Sequence, residues 1–362
     1  MGAVRAWWKI LTRVGPARRT GRQADRLFRF YLIKALDDLG VFRFLQEPKA
    51  YGEILAEFGL ADGDYTREVF ERLAKDRENV IIAADGRYAL NPKVPLPKFD
   101  ELMAVTPRHI RPYVTLAEGL KDSIVDRLRE ERVGVTELFE RGEVSLSDRF
   151  NTLLGTGIYS AIRSAVFAAL PRKDFEWLRG KRLLEVGCGS GLETAELWMM
   201  LNGDIHITAV DRVPRMVELA KGNFEPFLER LAPGHPLVTE QNRPVFEQGN
   251  VMELKHPDGA FDAVFSQFML HWTSDPRMAI REMVRVVRPG GLILGAQATK
   301  PLVNPYLDLV VRSQRDSYGF FWGEDYLGWY RDTGVPVKVV TPAGIIGVRK
   351  PTLENSAPRP AR

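Results

Sequence analysis

A single cysteine, Cys188, leaves this 362-residue chain without any internal disulfide, and with only five histidines it offers no clustered donor set for zinc. No metal is called for. Long apolar runs are also missing: none approaches the roughly 18–20 residues that cross a bilayer, and the first residues lack both the apolar core and the small-residue cleavage site of a secretory leader. The address expected from these absences is cytoplasmic. Net charge is small, with 51 Lys and Arg against 47 Asp and Glu. Residues 1–34 hold nine Lys/Arg against the lone acid Asp25, a surplus of +8, so the rest of the chain carries −4. A mildly acidic body argues against a nucleic-acid partner that needs a broad basic face. What remains, 45% hydrophobic and 27% charged residues, describes a folded chain of about two domains rather than a disordered or collagen-like one.

The basic start is patterned. At 100° per residue Arg5, Lys9 and Arg13 fall on one arc, with Val4, Trp7, Trp8, Ile10, Leu11 and Val14 opposite. Such a helix, within residues 1–20, suits an anionic membrane surface, and equally its own domain or a partner subunit. Leu27, Phe28, Tyr31, Leu32 and Leu36 share a helical stripe; a shorter helix follows around Ile54–Phe58, and a third carries Tyr65, Val69, Phe70 and Leu73. Val80–Ile82, a turn at Asp85-Gly86, then Tyr88 and Leu90 predict a β-hairpin. Three helices and a hairpin make a winged-helix outline, closed by Pro92, Pro95 and Pro97. Residues 100–180 predict helices broken at Pro107, Pro112, Gly142 and Pro171.

Beyond Gly180 the texture changes. Apolar runs at Leu183–Val186, Ile205–Val210, Phe261–Phe265 and Leu292–Leu294 alternate with helical stretches at Glu193–Leu201, Pro214–Gly222 and Pro276–Val287. That alternation predicts an α/β domain whose parallel sheet is covered on both faces. Val335–Val340 and Ile345–Val348 predict a terminal antiparallel hairpin. The expected boundaries are a basic amphipathic segment 1–21, a winged-helix-like domain 22–98, a helical linker 99–179, a ligand-binding domain 180–350 and a flexible tail 351–362.

Chemistry concentrates where the run Leu183–Val186 opens into Gly187-Cys188-Gly189-Ser190-Gly191 ahead of a helix. Alternate glycines allow a tight turn and bare backbone for a ligand, while the helix start offers unpaired N–H groups to an anionic group. Twenty residues after Gly191, Asp211 ends the next strand, where a carboxylate accepts both hydroxyls of a ribose. A nucleoside-bearing cofactor follows. The dinucleotide fingerprint fits imperfectly, because the third glycine falls one place early and Leu192 stands in its position.

Several ordered stretches settle the class by resemblance: Leu184–Gly191, Ala209-Val210-Asp211, Gly249-Asn250-Val251-Met252-Glu253-Leu254, the run Phe261–Trp272, and Arg281–Gly291. Over residues 180–300 the chain resembles the class I S-adenosylmethionine-dependent methyltransferases, in particular the group of ubiquinone/menaquinone-biosynthesis-like enzymes. The resemblance implies a seven-stranded, mostly parallel Rossmann-like sheet and S-adenosylmethionine as cofactor. It implies that Gly187, Cys188, Gly189 and Gly191 hold the methionine end with Glu185 orienting it. Asp211 then binds the ribose, Asn250 and Val251 flank the adenine, and Arg212, Ser266 and Gln267 complete the cofactor contacts. Asn250 departs from the commoner Asp, although an amide also pairs with the adenine amino group.

Small-molecule O-methyltransferases resemble the chain in two further places. Their Leu-His-Asp-Trp run carries a histidine base; here Leu270-His271-Trp272 lacks the Asp, and His271 is either the base or a packing residue. Their dimerisation domain resembles the amino-terminal outline, implying a homodimer. The segment Arg149–Leu154 and the following helix resemble the acceptor-lining element, which points to Asn151, Tyr159 and Arg163 or else to ordinary packing positions. The resulting expectation is methyl transfer to a small hydrophobic acceptor, on a hydroxyl oxygen. The alternatives are carbon transfer to an isoprenoid, quinone or pigment, and a winged-helix regulator that senses the cofactor. Phe320, Phe321, Trp322, Tyr326, Trp329 and Tyr330 read as core packing before they read as an acceptor cap.

Overall fold

In a computed structural model of the chain, the structure describes residues 26–352 apart from 109–110, 132–133, 141–144, 156–162, 164–165, 168–171, 302 and 338–343. The amphipathic start, Tyr159 and most of the expected tail lie outside the described residues. The chain divides into two compact units. One takes in Phe139–Val303 and the chain from Tyr318 onward; the other takes in the described chain up to Leu138 and regains Asn304–Ser317. Residues 304–317, expected inside the 180–350 domain, thus belong with the amino-terminal unit.

In that unit the helix 26–38 buries Leu27, Phe28, Phe30, Tyr31, Leu32, Ile33, Ala35 and Leu36. A short helix Val41–Phe44 and the strand β1 (Lys49–Ala50) lead to helices Tyr51–Phe58 and Asp64–Lys75. The last of these buries Tyr65, Val69, Phe70 and Leu73, the stripe expected from spacing. The hairpin forms as β2 (Ile81–Ala84) and β3 (Arg87–Leu90), with Ala84 opposite Arg87. Both turn residues, Asp85 and Gly86, take positive φ, the backbone twist that a two-residue hairpin needs. β1 pairs with the other edge of β3, giving a three-stranded antiparallel sheet. Pro112 does not break its helix; it sits in the first turn of Arg111–Leu128, where a missing N–H costs nothing. The returning helix Pro305–Val311 is docked by polar contacts: Tyr65 Oη donates to the Leu309 carbonyl at 3.0 Å, Tyr306 Oη to Asp76 at 2.5 Å, and Arg312 to Glu68 at 2.6 Å.

The other unit holds a sheet of six described strands: β4 (Arg182–Val186), β5 (His206–Asp211), β6 (Val245–Gln248), β7 (Phe261–Gln267), β8 (Val287–Ala296) and β9 (Ile346–Arg349). Their spatial order is β6-β5-β4-β7-β8-β9, parallel except for β9, which runs against β8. The seventh strand expected at Val335–Val340 falls partly outside the described residues. β6 has no counterpart among the expected strands, since only Val245 and Phe246 are apolar in that short edge segment. Alternation sorts the strands between two cores: Leu183, Ala209, Ala263 and Phe265 face one side, and Leu184, Val186, Val210 and Val264 the other. Phe321, Tyr326, Trp329 and Tyr330 pack into the second core, as their packing reading expects, while Trp322 is exposed. Strand order reverses beside β4, so the carboxyl ends of β4 and β5 open the crevice in which such sheets hold ligands.

Candidate functional site

The turn after β4 is shaped by glycine. Gly187, Gly189 and Gly191 have φ of 73°, 52° and 82°. A Cβ on Gly187 would lie 2.2 Å from Met269 Cγ, and one on Gly191 3.0 Å from the Ala220 backbone. These positions exclude side chains by conformation and by space together. The Gly187 and Cys188 N–H groups both donate to the Val210 carbonyl, at 2.8 and 3.1 Å, pinning the turn to β5. The helix Leu192–Met200 starts at Gly191, so its first amide groups face the crevice end of the sheet. Cys188 is buried and its thiol is pushed well above its usual range by burial, so it fills space rather than attacking anything.

Asp211 closes β5 and braces the turn. Its Oδ2 accepts from the Gly189 N–H at 2.9 Å and its Oδ1 from the Val213 N–H at 3.0 Å. Each oxygen keeps a further lone pair for a ligand hydroxyl. Burial raises its pKa, opposed by those backbone bonds. Glu185 is 2% exposed and accepts a 2.6 Å bond from Thr194 Oγ1. Burial pushes its carboxyl up to about 8, the Thr194 bond opposes this, and Glu193 and Asp211 add to it. A buried carboxyl with a single hydrogen bond among the described residues is suited to a cationic ligand group, which would hold it ionised.

The other expected residues divide. Val251 is buried beside the exposed Asn250, whose Oδ1 accepts from the Met252 N–H at 3.1 Å. Arg212 donates to the Trp272 carbonyl at 2.6 Å. The buried Ser266 Oγ accepts from Gln297 Nε2 at 3.4 Å, whereas the neighbouring Gln267 has neither amide atom partnered among the described residues. Asn151, on the helix Leu146–Leu154, accepts a 3.3 Å bond from Asn223 of the helix Pro214–Leu231, which also reaches the Ser190 carbonyl at 3.4 Å. Arg163 is enclosed, donating to the Leu154 carbonyl at 2.9 Å and to Glu196 at 3.1 Å, with Glu193 at 3.9 Å. Such a guanidinium is spent on protein groups.

His271 sits in the short 3₁₀ turn Leu270–Trp272, with its ring stacked on Phe320 at 4.3 Å. Its carbonyl accepts from the Gly319 N–H at 3.0 Å. Burial lowers its pKa to about 3, so the imidazole is neutral across the physiological range. Phe139, Phe150 and Trp272 meet edge to face beside it, with centroids 5.7, 5.7 and 6.3 Å apart. Sequence reasoning missed Thr194, Met269 and this aromatic trio. Thr194 alone had a local signal, lying on the helix that follows the glycine turn.

Residues 184–295 match a family model described as a methyltransferase domain. The demethylmenaquinone methyltransferase of Clavibacter sepedonicus is 28% identical over 256 residues, covering 63% of this chain and 94% of that protein. The 27-O-demethylrifamycin SV methyltransferase of Amycolatopsis mediterranei is 36% identical over 117 residues, and the malonyl-[acyl-carrier protein] O-methyltransferase of Serratia marcescens 33% over 115. The chain spans only 38% and 37% of those two relatives. Among solved structures the CurJ carbon methyltransferase superposes with a TM-score of 0.69 at 14% identity, covering 97% of both chains. The citrinin polyketide synthase CMeT domain gives 0.65 at 13%, covering 97% of this chain and 95% of that one. The fold likeness to these two covers 97% of this chain, while the family model matches residues 184–295, which hold the glycine turn and the strands around it. The glycine turn, the strand-end carboxylate and strands β4, β5 and β7 thus lie in the stretch of this chain that matches a methyltransferase domain.

Proposed function

We propose that the whole chain is an enzyme that transfers a methyl group from S-adenosylmethionine to a small, apolar acceptor, on a hydroxyl oxygen. The observation that carries the proposal is the left-handed glycine turn Gly187–Gly191, braced by the Gly189 N–H on Asp211 at the carboxyl ends of β4 and β5. The cofactor supplies an electrophilic methyl on a sulfonium whose charge disappears on transfer. The chain's own task is placement. Asp211 would hold the ribose, Glu185 the methionine ammonium, and Val251 with Asn250 the adenine. Dry walls and fixed alignment then lower the barrier without further chemistry from the protein.

In this reading His271 Nδ1 or Nε2 takes the hydroxyl proton, and the neutral ring is ready to do so. A second reading, transfer to an activated carbon, is favoured by one observation: burial that holds the imidazole pKa near 3 makes it a reluctant base. The polyketide and quinone names among the relatives and neighbours agree with either acceptor class. The proposal extends to a homodimer and to a peripheral membrane contact through residues 1–20. Light scattering showing a monomer removes the first, and equal liposome sedimentation with and without those residues removes the second.

Calorimetry tests the core of the proposal. S-adenosylhomocysteine is expected to bind with micromolar affinity and NAD not at all; the reverse result refutes it. His271→Ala is expected to lower methyl transfer by about 10²-fold or more with S-adenosylhomocysteine affinity unchanged if the ring is the base. An unaltered rate removes His271 from the mechanism.

A further inference from the structure

Three consecutive residues at the end of β7 behave unlike the rest of the sheet. Gln267 is 9% exposed, yet among the described residues neither its Nε2 nor its Oε1 has a hydrogen-bond partner. Buried amides are normally satisfied, and leaving both ends open points to a ligand that completes them. Phe268 then takes a φ of 48°, uncommon for an aromatic residue and typical of strain kept at functional sites. Met269 next leans over Gly187, filling the space that a Cβ there would occupy.

Register places the open amide. Glu185 pairs with Phe265 across β4 and β7, and Ala209 pairs with Glu185 across β5. Side chains alternate, so Gln267, Glu185 and Asp211 project from the same face of three adjacent strands at their carboxyl ends. The carboxylates suit the ribose and the ammonium of the cofactor, and the amide groups at the start of the helix Leu192–Met200 suit its carboxylate. Gln267 is left over, one step along β7 from a serine that Gln297 already satisfies. The ring of His271, four residues on, is uncharged.

We infer that the Gln267 side-chain amide reads the methyl acceptor rather than the cofactor, selecting a neutral hydroxyl or carbonyl oxygen at or beside the methylated atom. This rests on the methyltransferase reading. One amide both donates and accepts, so it pairs with a hydroxyl, or donates to a carbonyl, without burying a charge. A carboxylate in the same place would share the strand-end face with the carboxyls of Glu185 and Asp211, a like-charge cost that a neutral oxygen avoids.

The test uses the full chain loaded with S-adenosylhomocysteine and three probes of one shape: 2-naphthol, 2-acetonaphthone and 2-naphthoate, with binding followed by ligand-observed NMR. Wild type is expected to bind at least one neutral probe about tenfold or more tighter than 2-naphthoate. Gln267→Leu is expected to lose that binding by about tenfold while keeping its affinity for S-adenosylhomocysteine within about twofold. Equal binding of 2-naphthoate, or no binding of either neutral probe, overturns the inference. So does a Gln267→Leu protein with an intact melting transition that has lost S-adenosylhomocysteine affinity, which would place the amide on the cofactor. If that variant does not fold, the wild-type comparison decides alone. Failure of S-adenosylhomocysteine to bind wild type is a separate outcome and refutes the methyltransferase reading itself.

Discussion

Glu185 shows how much one buried carboxyl costs an unliganded site. Its pKa is raised from 4.5 to about 8 chiefly by burial, so the folded state favours the protonated form. A raised folded-state pKa contributes stability that is complete below pH 4.5 and is lost as pH rises through about 8. The Tm of the unliganded protein is therefore expected to fall across that window, and Glu185→Gln to flatten the fall by roughly 5 °C, as scanning calorimetry at several pH values would show. A slope unchanged in the variant would put the dependence elsewhere, with Asp211 the next group to examine since burial raises it too. At Gly187 the constraint is steric. Gly187→Ala combines a φ of 73° with an overlap on Met269, and is expected to cost about 1–3 kcal/mol in denaturant unfolding and to abolish measurable S-adenosylhomocysteine binding.

Among elements, the helix Pro214–Leu231 shows where local pattern and outcome part. The sequence predicts its end near Gly222, yet it continues through Gly222 and Pro226 for two further turns. Phe224, Phe227 and Leu228 bury against the sheet, and their packing outweighs the lost hydrogen bond at Pro226. Pro226 faces solvent. Pro226→Ala is thus expected to raise stability by about 1–3 kcal/mol, read as a higher urea midpoint; an unchanged or lower midpoint would mean the chain around Pro226 is already adapted to it. The edge strand β6 escaped sequence reasoning for a related reason. Its four residues gain strand geometry only by pairing with β5, from Thr208 opposite Val245 to Asp211 opposite Gln248.

For the whole molecule, the departure of Asn304–Ser317 from the unit that holds the six-stranded sheet is the feature that local pattern did not announce. This segment is anchored in the amino-terminal unit by Tyr306 on Asp76, where Arg29 also donates, at 2.7 Å. Burial raises the Asp76 pKa, but the Tyr306 and Arg29 bonds outweigh it and leave it below the usual carboxylate range. A lowered folded-state pKa contributes stability present above its ordinary value near 3.8 and lost as pH falls through the folded value. Tyr306→Phe is expected to cost about 1 kcal/mol at neutral pH and to reduce the acid sensitivity of unfolding, measured by denaturant titration at pH 7 and pH 3. Equal losses at both pH values would show that packing, not the phenol bond, holds the segment.

The sequence by itself determined an α/β domain with a nucleoside-binding turn, because strand periodicity, alternate glycines and a strand-end acid are local patterns enforced by backbone sterics and by the sheet's two-residue repeat; the methyltransferase class came from resemblance over residues 180–300. It placed Glu185, Gly187, Gly189, Gly191 and Asp211 together for that reason. Only the tertiary structure decided that Arg163 and Ser266 satisfy protein groups, that Gln267 satisfies none among the described residues, and that His271 stacks on Phe320. Burial and partnership depend on residues far apart in the chain, which no local spacing encodes.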